Sequence, residues 1–159
     1  MRAELTSRSA AIAQVLARHG TDAVYVASTG YVSRAVAAEV GPDHAVLYMQ
    51  GSMGLAPAIG LGIALTSDRT VVVLNGDGAL LMSLGTTHTL RDRAPEGRLF
   101  HYVLDNGCHE SVGGQPCAPL EDSYPGVTAI LPITRDGKPP RVPMTPPQNV
   151  AQVRKMMRR

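Results

Sequence analysis

Cysteine, strong charge of one sign and long hydrophobic runs are all scarce in this sequence, and each scarcity excludes something. The two cysteines of the 159 residues, Cys108 and Cys117, have neither metal-ligand spacing nor a secreted context. Reduced thiols in a cytoplasmic protein are expected. The net charge of +2 is too small to suggest nucleic acid. The one basic cluster, Arg154, Lys155, Arg158 and Arg159, reads as a helix end whose cations complement the dipole. The most apolar stretch, Met53 to Leu65, is interrupted by glycines and falls short of the ~20 residues that span a bilayer. The opening segment, MRAELTSRSAAIAQVLARHG, carries charges throughout a helical pattern, unlike a signal peptide. There is no GxGxxG, no Walker lysine and no internal repeat, so an ordinary nucleotide-binding fingerprint is missing.

What is present is a 44% hydrophobic, 18% charged chain, ordinary for a globular protein and of a length that suits one domain over 1–159. Helix-period and strand-period segments alternate. A first helix carries Leu5, Ile12, Val15 and Leu16 and stops at Gly20. Strands are expected over 22–28, 45–50, 70–75, 98–105 and 126–134. Helices are expected over 33–40, 55–66 and 79–92. The region 107–125, rich in Gly, Pro, Cys and Ser, reads as a long loop. Residues 135–159 read as a Pro-rich connector and a terminal helix, with Thr145 and two prolines at its start. This alternation predicts an α/β fold, a three-layer α/β/α sandwich with a mainly parallel central sheet. Gly60 and Gly62 inside a helix, each costing about 1 kcal/mol relative to Ala, predict something packed close to that backbone.

The chemistry is concentrated at the ends of successive strands. Small or glycine-rich loops follow four of them: STG at 28–30, QGSMG at 50–54, NGDGA at 75–79 and DNGCHESVGGQ at 105–115. In open parallel sheets ligands bind at the carboxyl ends of the strands, so the four loops predict one cleft. Gly78 and Ala79 open a helix whose free N–H groups suit a phosphate. Asp77 supplies a hard anionic oxygen of the kind Mg²⁺ prefers. A carboxylate beside a phosphate needs a cation between them, and Asn106, just past the next strand, can add a neutral oxygen. A turn aspartate capping the following helix would use the same residues.

Gly76-Asp77-Gly78, followed after 26 residues by Asp105-Asn106, resembles the cofactor motif of the thiamine diphosphate enzymes. The likeness covers about residues 20 to 120. It is nearest to the diphosphate-binding domain of the phosphonopyruvate and sulfopyruvate decarboxylases, through STGYVSR, LYMQGSMGLAPAIGLGIAL, LNGDGALLM and NGCHESVGGQP. The resemblance implies a thiamine diphosphate-binding fold, with thiamine diphosphate and Mg²⁺ as cofactors. It implies that Asp77, the Asn106 side chain and the Cys108 carbonyl hold the metal. Gly76 belongs to the same motif, and Gly78 and Ala79 would meet the diphosphate. The Gly51 carbonyl would accept from the aminopyrimidine, Ser52 would lie in the same turn, and Met53 would be the apolar wedge that bends the cofactor. His109 would stand over the reacting carbon, as the catalytic residue. Asp105 departs from the family's usual asparagine, and a helix and a strand of the relatives are expected to be lacking between Leu120 and Gly126.

In that family a glutamate from a separate pyrimidine-binding domain activates the cofactor, and this chain has no room for such a domain. The resemblance therefore implies a beta-type subunit of a heteromeric 2-oxo acid decarboxylase, completed by a pyrimidine-binding, alpha-type partner that supplies the glutamate. HESVGGQP is closer to the phosphonopyruvate branch, whose reaction yields phosphonoacetaldehyde and CO2. Sulfopyruvate decarboxylase and a non-catalytic cofactor-binding scaffold are the alternatives. The substrate is expected to be a small anionic 2-oxo acid, with His109, Lys138 and Arg141 as candidate cations for it. No nucleic acid and no membrane partner is expected. His88 and His101 read as ordinary helix and strand residues.

Overall fold

Apolar, β-branched runs between glycine-rich turns form the strands. The computed structural model describes residues 4–157. Its strands are β1 (Val24–Ala27), β2 (Ala45–Tyr48), β3 (Val71–Gly76), β4 (Leu99–Asp105) and β5 (Ala129–Pro132). All pair in parallel, in the order β2-β1-β3-β4-β5. The helices are α1 (Arg8–His19), α2 (Tyr31–Glu39), α3 (Ala56–Thr66), α4 (Asp77–Met82), α5 (Gly85–Arg93) and α6 (Pro146–Met157).

The sheet is covered on both faces, which explains strands without alternation. In β3, Val72 and Leu74 face α1 and α2 through Ile12, Val15 and Val36. Val71 and Val73 face α3 through Ala56, Ile59 and Ala64. A third cluster sets Leu80 of α4 against Val103 of β4. Burying each such Val or Leu is worth about 1.5–3 kcal/mol, so the central strand anchors the fold. This is the α/β/α sandwich with a parallel sheet that the alternation predicts. Gly60 lets α3 lie directly on β3, since a Cβ there would stand 2.5 Å from a Val73 methyl. Gly62 faces open space, so the close-approach reading holds only for Gly60.

Element boundaries differ from expectation for local reasons. Ser7 caps α1, its side chain accepting from the Ala10 N–H at 3.1 Å, which leaves Leu5 outside the helix and exposed. The helix expected over 79–92 starts at Asp77 and divides into α4 and α5 at Ser83 and Leu84. Gly54 nestles at that break: a Cβ on it would stand 2.7 Å from Ser83 Oγ and 3.2 Å from the Ala79 carbonyl. The loop after β4 folds back on itself, with Cys108 bridged to Pro116 and a 3₁₀ turn over Glu110–Val112. The terminal helix does begin at the two prolines after Thr145, at Pro146. Arg154 and Lys155 do sit in its last turn, whereas Arg158, Arg159 and the first three residues of the opening pattern lie outside the described residues.

Asn149 docks α6 on the β2 edge. Its Oδ1 accepts from the Tyr48 N–H at 3.0 Å and its Nδ2 donates to the Val46 carbonyl at 2.8 Å. A side-chain amide thus does for this edge what a neighbouring strand would do.

Candidate functional site

The connections define where a ligand can sit. From β1 the chain passes through α2, on one face, to β2. It then crosses back through α3, on the other face, to β3 on the far side of β1. The tips of β1 and β3 therefore send their chains away in opposite directions, and such a switch point opens a crevice at the carboxyl ends of the strands. A cleft of about 70 Å³ lies there, with Ser28 and Thr29 from the β1 tip, Gly76 to Ala79 from the β3 tip, and Asn106 and Cys108 to Val112 from the loop after β4. A larger hollow of about 690 Å³, lined by Asp22, Arg69 and Lys155 among others, lies at the opposite end of the sheet, away from every residue that the motifs single out.

Asp77 is the central group of the cleft. It is 5% exposed; its Oδ1 accepts from the Gly78 N–H at 2.8 Å, and its Oδ2 is buried without a hydrogen-bond partner. Burial pushes its carboxyl above the ordinary value; the Gly78 and Gly107 N–H groups oppose the rise and Asp105 adds to it. A simple capping aspartate would satisfy its oxygens locally. An orphaned carboxylate oxygen beside a second acidic group is what a bound cation would satisfy.

Gly78 makes the cleft floor. A Cβ there would stand 2.5 Å from His109 Cε1 and 3.1 Å from the Met53 methyl, so three sequence-selected residues meet at one point. The hairpin-like loop holds His109 by its main chain: its N–H donates to Gln115 O at 2.8 Å, and its carbonyl accepts from Gly114 at 3.0 Å. Asn106 Oδ1 accepts from the Cys108 N–H at 3.2 Å. The Cys108 carbonyl accepts from the Glu110 N–H at 3.0 Å. The Cys108 thiol is pushed up by burial. Burial and the Asp77 charge push Cys117 up to about 11. Both are free thiols, protonated at neutral pH.

Among the predicted residues, the structure brings Met53, Gly76, Asp77, Gly78, Ala79, Asn106, Cys108 and His109 to the cleft. Gly51 and Ser52 stand exposed at its rim, outside the lining. Their turn is tightly wound, with positive φ at Gly51, Ser52 and Gly54, and the Gly51 N–H donates to Thr29 Oγ1 at 2.9 Å. Lys138 and Arg141 are exposed and do not line the cleft. His88 is an exposed helix residue. His101 is a fully buried strand residue, with its Nε2 3.3 Å from Asn75 Nδ2.

Sequence reasoning missed Arg8. It is 3% exposed, lines the cleft and forms an ion pair with Glu110. The signal was present: position 8 shares the apolar stripe of Ala11, Ile12 and Val15, where a charge is out of place unless paired.

Among the described residues no three His, Cys, Asp or Glu side chains form a metal cluster. A cation here would take one carboxylate, amide or carbonyl oxygens, and oxygens of its co-ligand, which is chemistry suited to Mg²⁺. With the orphaned Asp77 oxygen and the glycine floor, the residues present fit a metal-bound diphosphate.

The family described as thiamine pyrophosphate enzyme, C-terminal TPP binding domain, matches residues 27–142. The chain belongs to this family. Phosphonopyruvate decarboxylase of Streptomyces viridochromogenes is 44% identical to this TPP-binding domain over 123 residues, covering 77% of the chain and 30% of the relative. Sulfopyruvate decarboxylase subunit beta of Methanothermobacter thermautotrophicus is 43% identical over 95 residues, covering 59% of the chain and 50% of the relative. The chain thus spans under a third of the first relative and half of the second. A solved structure of a candidate thiamin diphosphate-dependent enzyme from Mycobacterium smegmatis superposes with a TM-score of 0.61 at 18% identity, over 82% of this chain and 32% of that one. At that identity the likeness establishes the fold.

Proposed function

We propose that this chain is the diphosphate-binding subunit of a heteromeric thiamine diphosphate-dependent 2-oxo acid decarboxylase, acting on phosphonopyruvate. The orphaned Asp77 oxygen in the switch-point cleft carries the reading, because a cation completes it and a structural turn does not. Asp77, Asn106 Oδ1 and the Cys108 carbonyl would hold Mg²⁺. The Gly78 and Ala79 amides would face the diphosphate. Met53 and His109 wall the same space, Met53 as an apolar surface and His109 as the group nearest to an incoming 2-oxo acid. When bound, thiamine diphosphate supplies the electron sink that loss of CO2 from a 2-oxo acid requires.

The names of the relatives support a partner. Several matched relatives are named as beta subunits, and a beta subunit works with a second type of chain. Of the glutamates, only Glu110 lines the cleft, and it is committed to Arg8 and Asn106. The described residues thus offer no glutamate free to activate the cofactor, which suits one supplied by a pyrimidine-binding partner. Exposed Val112 lines the cleft, an apolar contact suited to such a partner. The beta-subunit names and the half-length match favour sulfopyruvate as the second reading for the substrate. No helix among the described residues is long and apolar enough to cross a membrane. The two unbridged thiols suit the reducing cytoplasm.

The test is calorimetry with thiamine diphosphate and Mg²⁺, followed by CO2 release from phosphonopyruvate and sulfopyruvate with and without a co-expressed pyrimidine-binding chain. Metal-dependent binding that is lost in Asp77→Ala, and turnover only in the reconstituted pair, are expected. Metal-dependent binding retained by Asp77→Ala refutes the site. Substantial turnover by the chain alone refutes the split enzyme.

A further inference from the structure

Glu110 has an acceptor-only side chain in a cleft that already holds Asp77, with the Asp105 charge acting on Asp77 from beside it. A third carboxylate there would compete for any cation and repel any anion, unless it were occupied. It is occupied twice. Glu110 Oε2 takes the Arg8 guanidinium in an ion pair and accepts from Asn106 Nδ2 at 2.8 Å. Arg8 is itself fixed from several directions: its Nη1 donates to the Gly137 carbonyl at 3.2 Å, its main-chain N–H donates to Asp136, and its guanidinium lies 5.6 Å from the Tyr31 ring centroid. The pair spans α1 and the loop after β4, residues 102 apart in sequence.

An asparagine amide has two ends, an acceptor and a donor, and only its surroundings decide which way it points. A carboxylate cannot donate, so it must face Asn106 Nδ2. The opposite end, Oδ1, accepts from the Cys108 N–H at 3.2 Å and from the Cys108 thiol at 3.6 Å, and the thiol is a weak donor that a cation would displace. With the amide reversed, Nδ2 would meet the Cys108 N–H, donor against donor, and would turn its hydrogens on a cation. We infer that Glu110, neutralised by Arg8, is a positioning residue that fixes the Asn106 amide with its oxygen turned away from the carboxylate and presented to the metal, which would take the place of the weakly bound thiol. This rests on the cation-site reading proposed above, and it assigns work to two residues that would otherwise be a mere tether between α1 and the loop.

The decisive experiment compares Glu110→Gln in two backgrounds, using Mg²⁺-dependent thiamine diphosphate binding to the full chain, read by calorimetry. Glutamine can donate as well as accept, so it no longer dictates the amide's direction. In the native background the metal-dependent affinity is expected to fall about 10–100-fold, the usual cost of losing an outer-shell partner. In an Asn106→Asp background both ends of the side chain are oxygens, and E110Q is expected to cause no loss. A tether would lose affinity by the same factor in both backgrounds, and that result overturns the inference. So does native-background binding within twofold of the parent.

The combined Arg8→Met, Glu110→Gln variant removes the buried ion pair as a unit and leaves no unpaired charge. It is expected to show the same dependence on background, and equal losses in both would overturn the inference. Asp77→Ala separates the two levels. If it binds like the parent, the cation site itself fails and the inference with it. If it does not bind while E110Q does, the inference alone fails.

Discussion

Replacing Gly78 by alanine probes the cleft with one methyl group. The position has no positive φ and lies in α4, where alanine is favoured over glycine by about 1 kcal/mol. Opposing this, the new Cβ would stand 2.5 Å from His109 Cε1 and 2.7 Å from Nδ1, with the Met53 methyl at 3.1 Å. To reach an ordinary contact of 3.4 Å, the imidazole has to retreat by about 0.9 Å. Overpacking of this size costs about 1–3 kcal/mol in a rigid core. Here the obstacles are the ends of two half-buried side chains, so the lower part of that range applies and the helix gain offsets much of it. Melting temperature is expected to stay within a few degrees of the parent. Function should respond differently, because a displacement near 1 Å at a reacting group can cost about 100-fold in rate. Scanning calorimetry on the chain and single-turnover assays on the reconstituted pair check the two halves. A large loss of stability, or turnover within twofold of the parent, would refute the picture of His109 and Met53 closing on the Gly78 floor.

Three further outcomes are expected. Asp77→Asn should raise the melting temperature of the cofactor-free chain, because the raised carboxyl pKa means that the fold disfavours its charge; an unchanged or lower value counts against the orphaned oxygen. His101, pushed down to about 4 by burial, should destabilise the fold in acid. The unfolded chain takes up that proton below about pH 6.5 while the fold resists until about pH 4, so about 2 kcal/mol is lost between pH 7 and pH 5. Urea unfolding at the two pH values, with His101→Gln for comparison, measures it. Asn149→Ala should cost about 1–3 kcal/mol, since it removes two hydrogen bonds at the β2 edge. It should leave metal-dependent cofactor binding unchanged, and a parallel loss of binding would refute that separation.

The sheet was legible because β-branched runs such as TVVVLN have few alternatives to a strand buried on both faces. The loops at the strand tips were legible for the same reason: a glycine, a carboxylate and an asparagine at those places have little structural purpose on a strand. What escaped was set by contacts between distant segments. Nothing in ALLMSLGTTHTLRD marks a break at Ser83, because the break accommodates Gly54, which comes from another turn. Nothing near Glu110 indicates Arg8, because the two meet only when α1 lies beside the loop after β4. Gly51 and Ser52 enter through the family resemblance, and their exposed turn is fixed by the Thr29 contact from a different strand tip, which the local sequence does not announce. Lys138 and Arg141 were singled out by charge alone, and charge does not fix location.

The contact between the Asp77 carboxylate and the next amide has a consequence for the order of events. An anion arriving first would find that amide taken, with a negative charge guarding it. A divalent ion arriving at the bare oxygen would pull the carboxylate toward itself and release the N–H for the anion, whose charge would then hold the ion in place. Each guest improves the berth of the other, so titrating either one by itself should give only feeble signals, and the two together a sharp one.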